Sequence, residues 1–222
     1  MVAVEVFVDP SCPWAWITSR WVKEVAPSRG LDVTWRSYCL EIRDDYDVAP
    51  TMPAERRQTA LAAHALSHRM LRIFEAARAG SGEDAVDALY AAWGRVFFAD
   101  VRHAYDTLAA GGDDALLSAC IEESGLQSGG ASDLLGAADD AKWDAPIVDA
   151  MDVAYAFGGP KTQTPTIVVR STPPYGFKGP VMAPAPTGDA GLRLWDAITV
   201  IAGEPGFFEI TRPRVNPPRT TA

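Results

Sequence analysis

The chain has 222 residues, 48% of them hydrophobic, with a formal charge of -9 and a mean hydropathy of -0.03. That length and apolar content suffice to bury a core in one domain with some elaboration, while the acidic balance argues against nucleic acid and anionic lipid as partners. No apolar run approaches the ~18–20 residues of a membrane span, Val2 to Val8 is too short and too poorly flanked by basic residues for a signal peptide, and the cysteines are too few and too scattered for a disulfide framework; a cytoplasmic protein is expected.

In chain order, the apolar run Val4 to Val8 reads as a first strand. It leads into Asp9-Pro10-Ser11-Cys12-Pro13-Trp14-Ala15-Trp16. Pro13 stands where a helix would begin, since its fixed φ suits the first helical position, and the helix should run to about Ala26. Cys12 then lies at a strand-to-helix turn. Unpaired N–H groups and the positive end of the helix dipole face its sulfur, which favours thiolate and predicts a nucleophile near neutral pH. Where a dithiol redox enzyme carries its resolving cysteine, this chain has Ala15.

Asp32 to Leu40 alternates as a second strand, with Val33, Trp35 and Ser37 on one side and Thr34, Arg36 and Tyr38 on the other. From Pro53 to Phe157 the period becomes helical, with one stripe of Leu66, Met70, Ile73, Phe74 and Ala77 and another of Val86, Leu89, Tyr90, Trp93 and Phe97. Glycines divide this block: Gly80 and Gly82, Gly111 and Gly112 before Asp113, Gly125, and Gly129 and Gly130 before Ser132. Strand character returns at Thr166 to Arg170 and, after Pro173-Pro174, around Tyr175 to Val181. A helix over about Asp189 to Ala202 follows. The stretch from Thr211, with Pro213, Pro217 and Pro218, is expected to be extended.

Cys12-Pro13-Trp14-Ala15 followed by Trp16-Ile17-Thr18-Ser19-Arg20-Trp21 resembles the DsbA-like branch of the thioredoxin superfamily, and most closely the actinobacterial mycothiol-dependent oxidoreductases and nitroreductases. Their usual run is Cys-Pro-Trp-Cys and then the same six residues, so the match carries one substitution. Thr162-Gln163-Thr164-Pro165-Thr166-Ile167 is similar to the family's Thr-Pro-Thr segment, and Leu194-Trp195-Asp196 and Phe207-Phe208-Glu209 to its C-terminal region. The resemblance implies an α/β fold: a thioredoxin-like core over 1–52 and 158–210, an inserted α-helical domain over 53–157, and an extended tail over 211–222. It also implies that Pro165 is cis and sits beside Cys12, with the backbone of Thr164 left to pair with a thiol substrate.

Each candidate residue has a plainer reading. A free cysteine is most often a packing residue, but composition alone does not place one ahead of Pro13 at a helix start. Trp14 is expected to line a pocket, whereas Trp16 and Trp21 divide evenly between pocket and packing. Cys39 and Cys120 read as packing residues, and a resolving role for Cys39 would need Cα atoms within roughly 7 Å. His64 and His68 are four apart on a predicted helix but lack a further ligand in register, so no metal is expected. Asp44, Asp45 and Asp47 read as a solvated loop that could also repel anionic substrates.

Function turns on Ala15. A dithiol enzyme releases its product through a second cysteine, and Cys12 has none in that position. One activated thiolate can form a mixed disulfide that an external thiol resolves. It can also stand beside a bound thiol that does the nucleophilic work. Or it can add reversibly to a conjugated double bond, allow rotation, and leave again. The third route, cis-trans isomerisation, needs no redox partner, and by resemblance the 2-hydroxychromene-2-carboxylate isomerases and kappa-class glutathione transferases use thiol chemistry on this core. It is the reading favoured here, with a hydrophobic unsaturated small molecule or an acyl-carrier-linked chain as substrate. Cys12 is the nucleophile, Pro13, Trp14, Ala15, Thr164 and Pro165 surround it, and Trp93, Phe97 and Phe98 are the groove walls. No cofactor is expected to be tightly bound, with mycothiol or glutathione as the candidate low-molecular-weight thiol. The alternatives are a monothiol oxidoreductase or S-transferase and an inactive binding module. Alanine is also the usual substitution for trapping mixed disulfides, and an engineered Ala15 would favour the oxidoreductase. Homodimerisation stays open.

Overall fold

The computed structural model describes residues 1–43, 53–126 and 131–220. The acidic run Asp44, Asp45 and Asp47 and the Gly129-Gly130 break lie outside the described residues. The chain opens as β1 (Val2–Val8), α1 (Pro13–Arg29) and β2 (Leu31–Ser37). Six helices follow: α2 (Ala54–Ser81), α3 (Glu83–Trp93), α4 (Val101–Ala109), α5 (Asp113–Ser124), α6 (Ala131–Ala137) and α7 (Asp144–Gly158). The chain then returns to the sheet with β3 (Thr166–Val169) and β4 (Tyr175–Lys178) and ends its regular structure with α8 (Gly188–Ala202).

The sheet order is β2-β1-β3-β4. β1 pairs in parallel with β2, Val8 opposite Ser37, and antiparallel with β3, Val6 opposite Ile167. β1 is therefore central, and its second half is buried as a continuous apolar run, as are all four residues of β3. The first strand-helix-strand unit closes where Gly30 takes a left-handed φ of 60°, its N–H bonding the Ala26 carbonyl. α1 thus runs one turn beyond its expected end, with Pro27 inside its last turn. β2 stops at Ser37 rather than Leu40 because the chain turns there: Tyr38 N–H bonds the Val8 carbonyl at 3.0 Å, and Leu40 N–H points to the Asp9 carboxylate at 2.8 Å.

Both expected helical stripes are buried, and they join the sheet residues in one apolar cluster running from Val4 to Trp195. α1 and α8 pack through Trp21 and Trp195, rings 5.6 Å apart, and the Trp21 indole donates to the Gly191 carbonyl at 3.1 Å. Among the described residues, no helix is long and apolar enough to cross a membrane.

The helical pattern of Trp93 and Phe97 conceals a π-helical turn, Gly94–Phe98. Gly94 lies so close to Trp16 that a Cβ there would stand 1.9 Å from the indole ring. The ring cannot yield, since it is stacked on Phe98 at 5.7 Å, edge-on to Tyr90 at 5.4 Å, and capped by the Arg20 guanidinium at 4.1 Å. A glycine in this turn thus lets α1 approach the helices through Trp16. Gly94→Ala gains about 1 kcal/mol of helix propensity against an overpacking penalty of about 1–3 kcal/mol, and the depth of the overlap decides the sign. Urea unfolding should show Gly94→Ala less stable than the parent; a stabilised variant would mean that the Trp16 contact is soft.

Candidate active site

Cys12 is the N-cap of α1, with Pro13 at the first helical position. Its N–H closes a turn onto the Asp9 carbonyl at 2.9 Å, and its carbonyl receives the first helical bond from Trp16 N–H at 3.1 Å. The Asp9 side chain holds this turn. One carboxylate oxygen accepts from Ser11 N–H at 2.8 Å, Ser11 Oγ at 2.6 Å and Ser67 Oγ at 2.6 Å; the other accepts from Leu40 N–H at 2.8 Å. Asp9 is fully buried, and all four donors come from segments packed around it. The Trp93 indole adds a bond to the Pro10 carbonyl at 2.7 Å.

The loop before β3 supplies the facing wall. The Thr164-Pro165 peptide is cis, and the Cys12 thiol lies 3.7 Å from the Thr164 carbonyl. Thr164 Oγ1 accepts from Asp9 N–H at 3.1 Å and donates to the Phe7 carbonyl at 3.0 Å, stitching that loop to the end of β1. The nucleophile turn and the Thr164 backbone are thereby held against each other from both sides.

The electrostatics depart from expectation. Burial pushes the Cys12 thiol up to about 12, even though backbone N–H bonds from Ala15 and Trp14 pull the other way; the Asp9 carboxylate raises it further and the Arg214 guanidinium opposes. The helix start is present, yet it acts on a sulfur with almost no contact with water, since the residue is only 8% exposed. Desolvation of a buried acid reaches 3–5 pKa units, whereas a helix terminus contributes about 0.3–1 kcal/mol, less than one unit. In this conformation Cys12 is a thiol, not the thiolate expected near neutral pH.

Ala15 is fully buried, and Trp14 is half-buried beside the turn. Trp16 is buried between the helices, and Trp21 is a packing residue. Trp93 and Phe97 lie within the core, stacked on each other at 4.7 Å, and Phe98 is buried behind Trp16. The turn and the Thr164-Pro165 loop come together, while Trp93, Phe97 and Phe98 present no open groove. Cys39 and Cys120 are free and buried, and burial raises both thiols. His68 bridges the Glu41 and Asp144 carboxylates at 2.8 and 2.7 Å.

Two groups were not singled out from sequence. Asp9 and Ser11 lie inside the quoted motif, where an acidic residue ahead of a Pro-Ser turn was the available signal, but Ser67 is brought in from α2 without one. The second group is the segment 211–220, which has no regular structure, as expected, yet lies against the site: Arg214 stacks over Trp14 at 5.2 Å and the Trp16 indole donates to the Thr220 carbonyl at 3.2 Å.

Residues 11–212 match the family model described as Rv2466c-like, mycothiol-dependent nitroreductase Rv2466c. The chain belongs to this family. It is 27% identical over 221 residues to the uncharacterized protein Rv2286c of Mycobacterium tuberculosis, covering 96% of this chain and 83% of that protein. It also resembles the crystal structure of the probable DsbA oxidoreductase SCO1869 from Streptomyces coelicolor, with a TM-score of 0.58 at 22% identity over 95% of this chain and 94% of the other. The fold is therefore the DsbA-like elaboration of the thioredoxin core.

Two outcomes follow from this geometry. In Asp9→Asn the amide can still accept from the serines, but its NH2 then faces Leu40 N–H, leaving buried donors unpaired at a cost of about 1–3 kcal/mol. Removing the neighbouring negative charge should also move Cys12 titration downward. Denaturant unfolding together with the pH profile of Cys12 alkylation checks both, and an unchanged profile would show that Asp9 exerts no field at the sulfur. The second outcome concerns alkaline pH. Cys12, Cys39 and Cys120 hold their protons in the folded state above the pH at which unfolded thiols, near ~8.5, release them. The folded state then binds more protons, so stability should fall as pH rises through that value, by about 1.4 kcal/mol per thiol per pH unit. Unfolding at stepped pH, with Cys39→Ala and Cys120→Ala variants each flattening the slope, measures it.

Proposed function

We propose that this chain is a single-thiol oxidoreductase in which Cys12 is the nucleophile and an external low-molecular-weight thiol, mycothiol or glutathione, is the co-substrate. The observation that carries this reading is Ala15, fully buried at the resolving position of a family motif otherwise intact around Cys12. Membership of a family described by a mycothiol-dependent nitroreductase supports it, as do three free cysteines, which suit a reducing compartment such as the cytoplasm.

The chemistry has two balanced steps. The Cys12 thiolate attacks a disulfide R–S–S–R′, forming Cys12–S–S–R and expelling R′S⁻. The thiolate of a second small thiol then attacks the mixed disulfide, forming a new small disulfide and returning Cys12. The Thr164 carbonyl, 3.7 Å from the sulfur, accepts a hydrogen bond from the neutral thiol, and the proton lost when Cys12 ionises leaves with the expelled R′S⁻ as R′SH. Any two-electron reduction of another substrate at this site consumes two thiols and yields one disulfide.

The isomerisation reading draws on the same Ala15, because addition and elimination at one double bond also needs a single thiol. Its aromatic groove has lost support: with Trp93, Phe97 and Phe98 in the core, Trp14 is the remaining half-buried ring among those four.

Intact-mass analysis after exposure to glutathione disulfide should show a stable adduct on Cys12, absent in Cys12→Ser and discharged by added thiol. Ala15→Cys should replace the adduct with an internal disulfide. Turnover separates the two chemistries: the oxidoreductase consumes thiol in proportion to product, whereas conversion of a conjugated substrate with no thiol consumed would overturn the proposal in favour of isomerisation.

A further inference from the structure

We infer that residues 211–220 form a displaceable strap beside the Cys12 turn, so that access to the thiol requires this segment to lift. The inference rests on Cys12 being the reacting thiol, and its starting point is how the segment is attached. After α8 the chain runs without regular structure through Thr211 to Thr220. Its tethers reach the residues that frame the thiol. The Arg214 guanidinium lies 5.2 Å from the Trp14 ring, two residues from Cys12. The Trp16 indole donates to the Thr220 carbonyl at 3.2 Å, and Thr220 Oγ1 donates to the Phe98 carbonyl at 3.3 Å. Asn216 Nδ2 donates to the Ala183 carbonyl at 3.2 Å. The segment therefore spans from the loop after β4 to the π-helical turn, passing the start of α1.

Its composition suits a strap rather than a packed element. Pro213, Pro217 and Pro218 keep it extended and remove backbone donors. No large side chain of the segment is buried: Val215 is 85% exposed, and Pro218 and Thr220 are only half-buried. It is held by one exposed and two part-buried hydrogen bonds and one stacked cation, and none of its own side chains is anchored in the core. Local opening free energies are smallest where buried apolar contacts are few. Cys12, by contrast, is enclosed at 8% exposure although it stands at a helix start beside a half-buried Trp14. A thiol so enclosed cannot meet a disulfide or a bulky thiol until something moves, and this segment is the weakly attached neighbour of Trp14 and Trp16 at that place.

The test uses the full chain carrying Arg214→Lys, Asn216→Ala and Thr220→Ala together, which keeps the positive charge that lowers the Cys12 thiol, replaces the guanidinium stacked on Trp14, removes the two side-chain hydrogen bonds the segment donates and touches no core residue. Iodoacetamide alkylation at fixed pH, read by peptide mass spectrometry, gives separate rates for Cys12, Cys39 and Cys120; a melting curve verifies the fold. The expected result is a rise at Cys12 of about ten-fold or more, the change in thiolate fraction that one pKa unit brings, with Cys39 and Cys120 unchanged. No rise at Cys12, or a parallel rise at all three, overturns the strap. Failure of the redox reading is seen separately, as loss of thiol-dependent turnover with the Cys12 rate still raised.

Discussion

The Asp9 carboxylate is the interaction on which the rest of the site depends. Through its two oxygens it joins the Ser11-Cys12 turn after β1, Ser67 on α2, and Leu40 beyond the end of β2. Its own N–H bonds Thr164 in the loop that faces the thiol. Four segments far apart in sequence thus meet at one residue with no exposure to solvent. A buried carboxylate is tolerable only when its acceptor capacity is filled, and here the donors that fill it also determine where the cysteine stands. Removing one donor would leave the others bonded to a misplaced oxygen, so the network behaves as a unit.

That arrangement carries an electrostatic cost. The same negative charge that orders the turn raises the Cys12 thiol, and burial raises it more. Helix-start N–H groups and Arg214 act in the opposite sense and lose. Asp9 therefore bears on both position and protonation: with Thr164 it places the sulfur, and its charge adds to the larger effect of burial in holding the proton on.

Much of the fold was legible because its signals are local. A short apolar run marked β1, alternation marked β2, Pro13 marked the start of α1, and the stripes of Leu66 to Ala77 and Val86 to Phe97 marked buried helix faces; every side chain named in those two stripes lies in the core. Local patterning could not show where long-range contacts would override it. β2 ends early because Leu40 N–H is drawn to Asp9. The stripe that ends in Trp93 and Phe97 looked like a groove wall because aromatic rings serve in walls and cores alike, and only the stacking of one ring on the other, with the Trp93 indole tied to Pro10, assigns them to the core. The thiolate expectation met a similar limit: a helix start is visible in sequence, whereas the burial of Cys12 against the Thr164 carbonyl, 152 residues away, is not.

The missing second cysteine and the raised thiol belong together. In a dithiol enzyme the resolving cysteine expels the substrate thiolate and keeps the nucleophile bonded; where a reductant frees the nucleophile instead, leaving is faster from a sulfur of low pKa. With Ala15 in the resolving position, the proposed reading has an external thiol make that attack with Cys12 as the leaving sulfur, so a thiol raised by burial turns over only once its site opens. A cysteine held as a neutral thiol in a closed site is protected from oxidants that act on thiolates, and exposure to water restores both its ionisation and its reach. On the proposed strap, access and activation are then a single event.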